Sequence, residues 1–137
     1  MSLVVDANVA LKWFVPERGH EAAVALLRNG GDLLASDWLL IEIANALWKQ
    51  WRRNAIDPEQ IDDILEMLPQ ILVLSDARPL VGRASGIARS LDHPVYDCLY
   101  LALAEANRAP LITDDRTLLR KAAEANFPVY SLQGSRD

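Results

Sequence analysis

The sequence predicts an α/β sandwich built on a mainly parallel sheet. Short β-prone apolar runs alternate with longer segments of helical apolar spacing along the whole chain. The runs are apolar without a polar alternation, as strands covered on both faces are. No repeat, low-complexity tract or Gly/Ser-rich linker interrupts them, so the alternation belongs to a single domain, 1–137. Crossovers in such folds are right-handed. Ligands gather outside the carboxyl ends of the strands, where helix N-termini also point.

The elements follow in order. Leu3-Val4-Val5 is a short strand that stops at Asp6. Val9, Trp13 and Phe14 mark a short helix closed by Pro16. The Ala/Leu-rich stretch from Glu21 to Leu27 is helical, and Gly30-Gly31 stops it. Leu33-Leu34-Ala35 is a second strand. Ser36 or Asp37 is placed to cap a helix from Trp38 to about Arg53. Asp57-Pro58-Glu59 opens the next helix, with Pro in the first turn, and Ile61, Ile64, Leu65 and Leu68 form its apolar face. Ile71-Leu72-Val73-Leu74 reads as a strand, and Leu80 to Leu91 as a helix weakened by Gly82 and Gly86. Pro94 precedes a helix from Tyr96 to about Asn107, and Pro110 to Thr113 is a strand. Leu118 to Ala125 is the last helix, and Pro128-Val129-Tyr130 the last strand.

Composition excludes several function classes. Of 137 residues, 51% are hydrophobic and 24% charged, which supplies a core and argues against disorder or coiled coil. With 14 Lys and Arg against 19 Asp and Glu, the net charge is −5, so no overall basic field draws the chain to nucleic acid or an anionic membrane. Binding to RNA or DNA then needs local basic patches or bound cations. The apolar runs fall short of the ~18 residues that span a bilayer. Met1-Ser2-Leu3-Val4-Val5-Asp6 has no basic leader segment, so no secretory signal is expected. A lone cysteine, Cys98, excludes an internal disulfide and a cysteine-based zinc site, and fits a reducing, cytoplasmic setting. His20 and His93 are too few for a His-rich metal site.

The chemistry rests on acids. Asp6 ends the first strand, and is either a helix cap or a ligand at the sheet's carboxyl edge. Asn8 follows two residues later as a cap or a further oxygen donor. Glu42 lies in the apolar stretch Trp38 to Trp48, and helical spacing sets it on one face with Asn45 and Lys49. The apolar flanks predict a largely buried helix, and a buried carboxylate needs a partner, a proton or a metal. Asp97 falls in the first turn of a helix, where the dipole alone favours it. Asp114 and Asp115 follow Leu111-Ile112-Thr113 at a strand–helix junction, one as a cap and the other repeating the arrangement at Asp6. In a parallel sheet these places can share one edge. Carboxylates crowded there repel unless cations neutralise them. An all-oxygen donor set suits Mg²⁺, with Mn²⁺ able to substitute, and such ions polarise phosphates and acidify water.

Four segments then resemble the PIN-domain nucleases, specifically the VapC-type toxins of toxin–antitoxin pairs. They are Leu3-Val4-Val5-Asp6-Ala7-Asn8-Val9-Ala10-Leu11-Lys12-Trp13, Leu40-Ile41-Glu42-Ile43-Ala44-Asn45-Ala46-Leu47-Trp48, Tyr96-Asp97-Cys98-Leu99-Tyr100-Leu101-Ala102-Leu103-Ala104 and Leu111-Ile112-Thr113-Asp114-Asp115. Their order and spacing cover about residues 3 to 130. The resemblance implies a three-layer α/β/α sandwich with a short sheet. It also implies a metal-dependent endoribonuclease with Asp6, Glu42 and Asp97 as core acids and Asp115, the third residue of a Thr-x-Asp element, as the fourth. Asp114 stands as the alternative, and Thr113 and Asn8 match supporting polar positions, although Ser or Thr is common where Asn8 stands. The mechanism this suggests has Asp6 and Asp97 as direct ligands, with Glu42 and Asp115 either coordinating through water or orienting the attacking water. A VapB-type antitoxin and a homodimer are the implied partners, with the antitoxin held by the helical pair 38–53 and 58–68.

Lys49, Trp51, Arg52 and Arg53 end the third helix, placed either for phosphate contact and base stacking or simply for the helix dipole. Trp38, Trp48 and Trp51 exceed what a small core needs, which points to a partner surface. Arg116 and Arg120 flank the last acid, placed either for contact with RNA phosphates or, the reading favoured, simply on an exposed helix face, and Cys98 reads as a buried apolar side chain. Two other classes use similar parts. A phosphoreceiver wants an acid pair at the first strand, where only Asp6 stands, and a haloacid-dehalogenase-type phosphatase wants Asp-x-Asp, where this chain has Asp6-Ala7-Asn8. A non-catalytic interaction module would use every acid as a cap.

Overall fold

The computed structural model describes residues 1–133. The last four positions of the predicted 1–137 domain lie outside the described residues. Five strands, β1 (Leu3–Val5), β2 (Leu33–Ser36), β3 (Val73–Ser75), β4 (Leu111–Thr113) and β5 (Val129–Ser131), form one sheet in the order β3-β2-β1-β4-β5. Every pairing is parallel, with Leu3 opposite Leu33 and Val5 opposite Ile112. The three central strands are buried at every residue, which is why their sequences are apolar except for the terminal Ser36 of β2 and Thr113 of β4. The edge strands β3 and β5 are only partly covered.

The helices are α1 (Ala7–Leu11), α2 (His20–Leu26), α3 (Trp38–Arg52), α4 (Pro58–Ile71), α5 (Val81–Leu91), α6 (Val95–Asn107) and α7 (Arg116–Glu124), with a 3₁₀ turn at Arg78–Leu80. The chain steps one way from β1 through β2 to β3, then returns to the other side of β1 for β4 and β5. Right-handed crossovers therefore put α1–α4 on one face and α5–α7 on the other. The packing agrees: α1 lies on α3 and α3 on α4, while α6 lies under α5 and across β1, β2 and β4. This is the predicted three-layer α/β/α sandwich. Because α6 is enclosed between α5 and the sheet, its residues Cys98 to Ala104 are buried without a break. The α3 side chains Leu39, Ile43 and Leu47 seal the opposite layer. Each such buried side chain contributes about 1.5–3 kcal/mol through the apolar area it removes from water.

Three local expectations are corrected. The spacing predicts a helix over 58–68 and a strand from Ile71, but α4 runs through Pro69 to Ile71 and β3 starts at Val73. Proline forfeits one amide bond there, and the helix still closes where the Leu72 amide donates to the Leu68 carbonyl at 2.9 Å. Neither Ser36 nor Asp37 caps α3 through its side chain. Asp37 Oδ1 instead accepts the Ala77 amide at 3.1 Å, tying the loop after β3 to the start of α3. Finally, α3 is not largely buried. Its outer face exposes Ile41, Trp48 and Trp51, so the apolar flanks of Glu42 serve two surfaces, one inside and one outside.

The order of the strands reverses between β1 and β4. Such a reversal leaves a crevice at the carboxyl ends of the two strands, because the connections leave in opposite directions. No described helix is long and apolar enough to cross a membrane.

Candidate active site

Asp6 and Asp115 are the residues that follow β1 and, one position on, β4, so the sheet delivers both to the crevice. Both are helix caps. Asp6 Oδ1 accepts the Val9 amide at 2.9 Å and starts α1. Asp115 Oδ1 accepts the amides of Thr117 and Leu118 at 2.9 and 3.1 Å and starts α7. Asn8 does not cap α1. It lies exposed in the first turn, and Asp6 holds the capping role.

Thr113, fully buried at the end of β4, joins the two acids. Its hydroxyl donates to Asp6 Oδ2 at 2.5 Å and accepts the Asp115 amide at 3.1 Å. Asp114, the neighbour, turns to a different partner. Its Oδ2 lies 3.6 Å from Lys12 Nζ, a buried ammonium that also meets Glu17 at 3.3 Å. A buried cation requires such counter-charges, so Lys12 engages Asp114 while Asp115 remains with the other acids.

Two more acids come from helices. α6 leads into β4 through a short link, so its C-terminus lies at the amino edge of the sheet and its first turn, with Asp97, at the carboxyl edge. Asp97 Oδ2 lies 2.7 Å from His93 Nε2, and donor atoms of His93, Asp97 and Asp115 all fall within 4.8 Å of one another. Glu42, on the second turn of α3, accepts a short hydrogen bond at Oε1 from the Tyr100 hydroxyl of α6. That hydroxyl in turn accepts the Ala7 amide at 3.1 Å. The chain Ala7–Tyr100–Glu42 thus joins α1, α6 and α3 above the sheet.

The electrostatics show that the acids share one field. Burial pushes the Asp6 carboxyl up to about 6 against the hydrogen bonds from Thr113 and Val9, and the charges of Asp97 and Asp115 raise it further. Burial pushes Glu42 up to about 7, opposed by the Tyr100 hydrogen bond and reinforced by Asp97 and Asp6. The Tyr100 hydroxyl is held well above its ordinary value, first by burial and then by the Glu42 charge, so it stays a donor. Burial likewise raises the Cys98 thiol, to about 11, which leaves it an inert part of the core.

The donor set fits a hard divalent cation. Asp97 and Asp115 converge, and Asp97 Oδ1, Asp115 Oδ2 and Glu42 Oε2 accept no hydrogen bond among the described residues. Like charges collected in a half-buried place, with two of them raised towards neutral pH, are what a bound cation relieves. Each acid named from the sequence lies at this edge.

Sequence reasoning missed three residues here. Tyr100 had a signal: in a Leu/Ala helix one turn beyond Asp97, a buried Tyr must find a partner for its hydroxyl. Lys12 had one too, a cation between Leu11 and Trp13 on a buried segment. His93 had none, because it sits before Pro94 in the turn and not on the helix whose spacing places Asp97.

Comparison with known proteins places this arrangement. A family model described as PIN domain matches residues 3–124. Ribonuclease VapC3 of Pyrobaculum aerophilum is 33% identical over 124 residues, which cover 88% of this chain and 95% of that protein. The crystal structure of PAE2754 from Pyrobaculum aerophilum superposes with a TM-score of 0.74 at 23% identity, covering 97% of this chain and 90% of that one. VapBC2 from Rickettsia felis, solved bound to a DNA fragment from its promoter, gives a TM-score of 0.65 at 16% identity over 96% of this chain and 98% of that one.

Proposed function

This chain belongs to the PIN-domain family, and on that premise we propose that it is a metal-dependent endoribonuclease acting as the toxin of a VapBC-type pair in the cytoplasm. The observation that carries the reading is the single field shared by Asp6, Glu42, Asp97 and Asp115 at the crevice between β1 and β4. The curated relative is a ribonuclease by name.

Asp97 and Asp115, the two acids with converging oxygens, would hold the cation, with Asp6, tied by Thr113, behind them as a fixed charge. Mg²⁺, or Mn²⁺ in its place, supplies Lewis acidity towards a phosphodiester and acidifies water when bound. The remaining work falls to the chain. Glu42, drawn towards neutral pH and held by Tyr100, accepts a proton from the attacking water. Thr113 fixes Asp6 and the start of α7 together. Exposed Arg116, beside Asp115 at the same edge, contacts an RNA phosphate, whereas Lys49, Arg52 and Arg53 stand at the far end of α3, where Arg52 lies 5.0 Å over the Trp48 ring. Local cations thereby offset the net charge of −5.

A VapB-type antitoxin is the proposed protein partner, besides a second copy of the chain. The exposed Ile41, Trp48 and Trp51 of α3 and Met67 of α4 support the antitoxin reading, since exposed apolar and aromatic side chains mark interfaces. The test is cleavage of a mixed single-stranded RNA pool in Mg²⁺. Cleavage is expected to stop in excess EDTA and in Asp97→Asn. Undiminished cleavage in either condition overturns the proposal, and phosphate uptake from a small phosphodonor would favour a receiver domain instead.

A further inference from the structure

We propose that His93 is a positioning residue of the acid centre, donating from Nε2 to Asp97 Oδ2 so that the other oxygen of Asp97 is presented to the cation. The inference rests on the metal-dependent reading above and adds to it the one nitrogen-bearing side chain in the donor group.

The geometry is specific. His93 Nε2 lies 2.7 Å from Asp97 Oδ2, and the imidazole side chain is only 7% exposed against 28% for the acid, so the bond is sheltered from competing water. The turn that carries His93 is held on several sides. Asp92 before it takes the left-handed conformation at φ 54° and caps α5, and Pro94 after it fixes the entry to α6. The His93 amide donates to the Ala88 carbonyl at 3.1 Å. Lys121 of α7 donates to the Asp92 carbonyl, so the helix that begins at Asp115 also grips the turn that presents His93.

Asp97 has no other hydrogen-bond partner among the described residues, so without His93 its carboxylate is free to rotate. A ligand carboxylate loses affinity when its orienting partner is removed, typically by about 10–100-fold. With Nε2 already engaged by the acid, His93 works on Asp97 and is not itself a ligand.

The test is the Mn²⁺ dissociation constant of the full chain, followed by the paramagnetic resonance of free Mn²⁺. His93→Leu is expected to weaken Mn²⁺ about 10–100-fold. His93→Gln, whose amide reaches the place of Nε2, is expected to recover most of that loss. His93→Asn, polar but one methylene shorter, is expected to behave like His93→Leu. In an Asp97→Asn background the His93→Leu change should add nothing, and the pulsed resonance spectrum of wild type should show no directly coordinated nitrogen.

Wild-type affinity in His93→Leu, a coordinated nitrogen, or loss in a folded His93→Gln protein overturns the inference. Where His93→Leu does not fold, His93→Gln against His93→Asn and the wild-type spectrum decide it. Mn²⁺ bound but indifferent to position 93 removes this inference alone. A wild-type protein that binds no Mn²⁺ removes the metal-dependent reading with it.

Discussion

The Thr113 hydroxyl donates to the buried Asp6 carboxylate at 2.5 Å, across the junction where β1 and β4 meet and the strand order reverses. One side chain thereby sets the position of two acids, since the same oxygen receives the Asp115 amide. Thr113→Val keeps the volume and removes both bonds. The expected cost is about 2–3 kcal/mol, because a hydrogen bond to a buried charge is lost and a part-buried amide loses its partner. Thr113→Ser should recover most of it. Chemical denaturation measures both, and a neutral Thr113→Val would show that the bond does not stabilise the fold.

Asp6 and Glu42 make the metal-free protein sensitive to pH. Their folded values, about 6 and about 7, lie above the ordinary 3.8 and 4.5. The native state therefore binds protons more tightly than the unfolded chain, and the associated stability is full below about pH 4 and lost as pH rises through 6 and 7. For Asp6 the loss is on the order of 2–3 kcal/mol. In EDTA, Tm is expected to fall between pH 5 and 7.5. Mg²⁺ or Mn²⁺ should restore it at pH 7.5 and do little at pH 5. A flat metal-free profile would contradict the burial of these charges.

Asp6→Asn separates charge from capping. Asn caps helices about as well as Asp, so α1 should persist and the pH dependence of Tm in EDTA should flatten. Stabilisation by Mn²⁺ at pH 7.5 should be much reduced and RNA cleavage lost. Thermal unfolding with and without the ion checks all three.

Asp114 and Asp115 should behave differently despite being neighbours. Asp115→Asn keeps the cap and is expected to lower cleavage by at least about a hundredfold. Asp114→Asn withdraws one counter-charge from Lys12 and should act on stability, by about 1 kcal/mol, more than on cleavage. Comparable cleavage losses in both would mean that the Lys12 contact does not distinguish them.

Tyr100→Phe removes the donor to Glu42 and the acceptor of the Ala7 amide. The expected destabilisation is about 1–3 kcal/mol. The Tyr100 bond opposes the rise of the Glu42 value, so its loss should shift the acid limb of the pH–rate profile upward. An unmoved limb would assign that limb to another group.

Much of this was readable from residue order. An apolar run ending in an acid marks a strand delivering a carboxylate to an edge, and Val5-Asp6 and Thr113-Asp114-Asp115 both say so. Which edge-neighbours meet was not readable, because β1 and β4 are joined by pairing between residues more than a hundred positions apart. Capping and site membership stand as alternatives for Asp6 and Asp115 in the sequence; both residues are caps, and a cap through Oδ1 does not exclude the proposed site role, since a carboxylate has two oxygens. Tyr100 and Lys12 carried signals of burial that only the packed layers give meaning to. His93 depends on a turn geometry that no periodicity describes.

That double duty bears on how relatives of this chain should be compared. A descendant that had lost its chemistry would still be under pressure to keep Asp6 and Asp115, because α1 and α7 start on them. Glu42 and Asp97 close no backbone bond and would be free to drift. Their retention, more than that of the strand-end acids, is what should tell a working enzyme from a silent one.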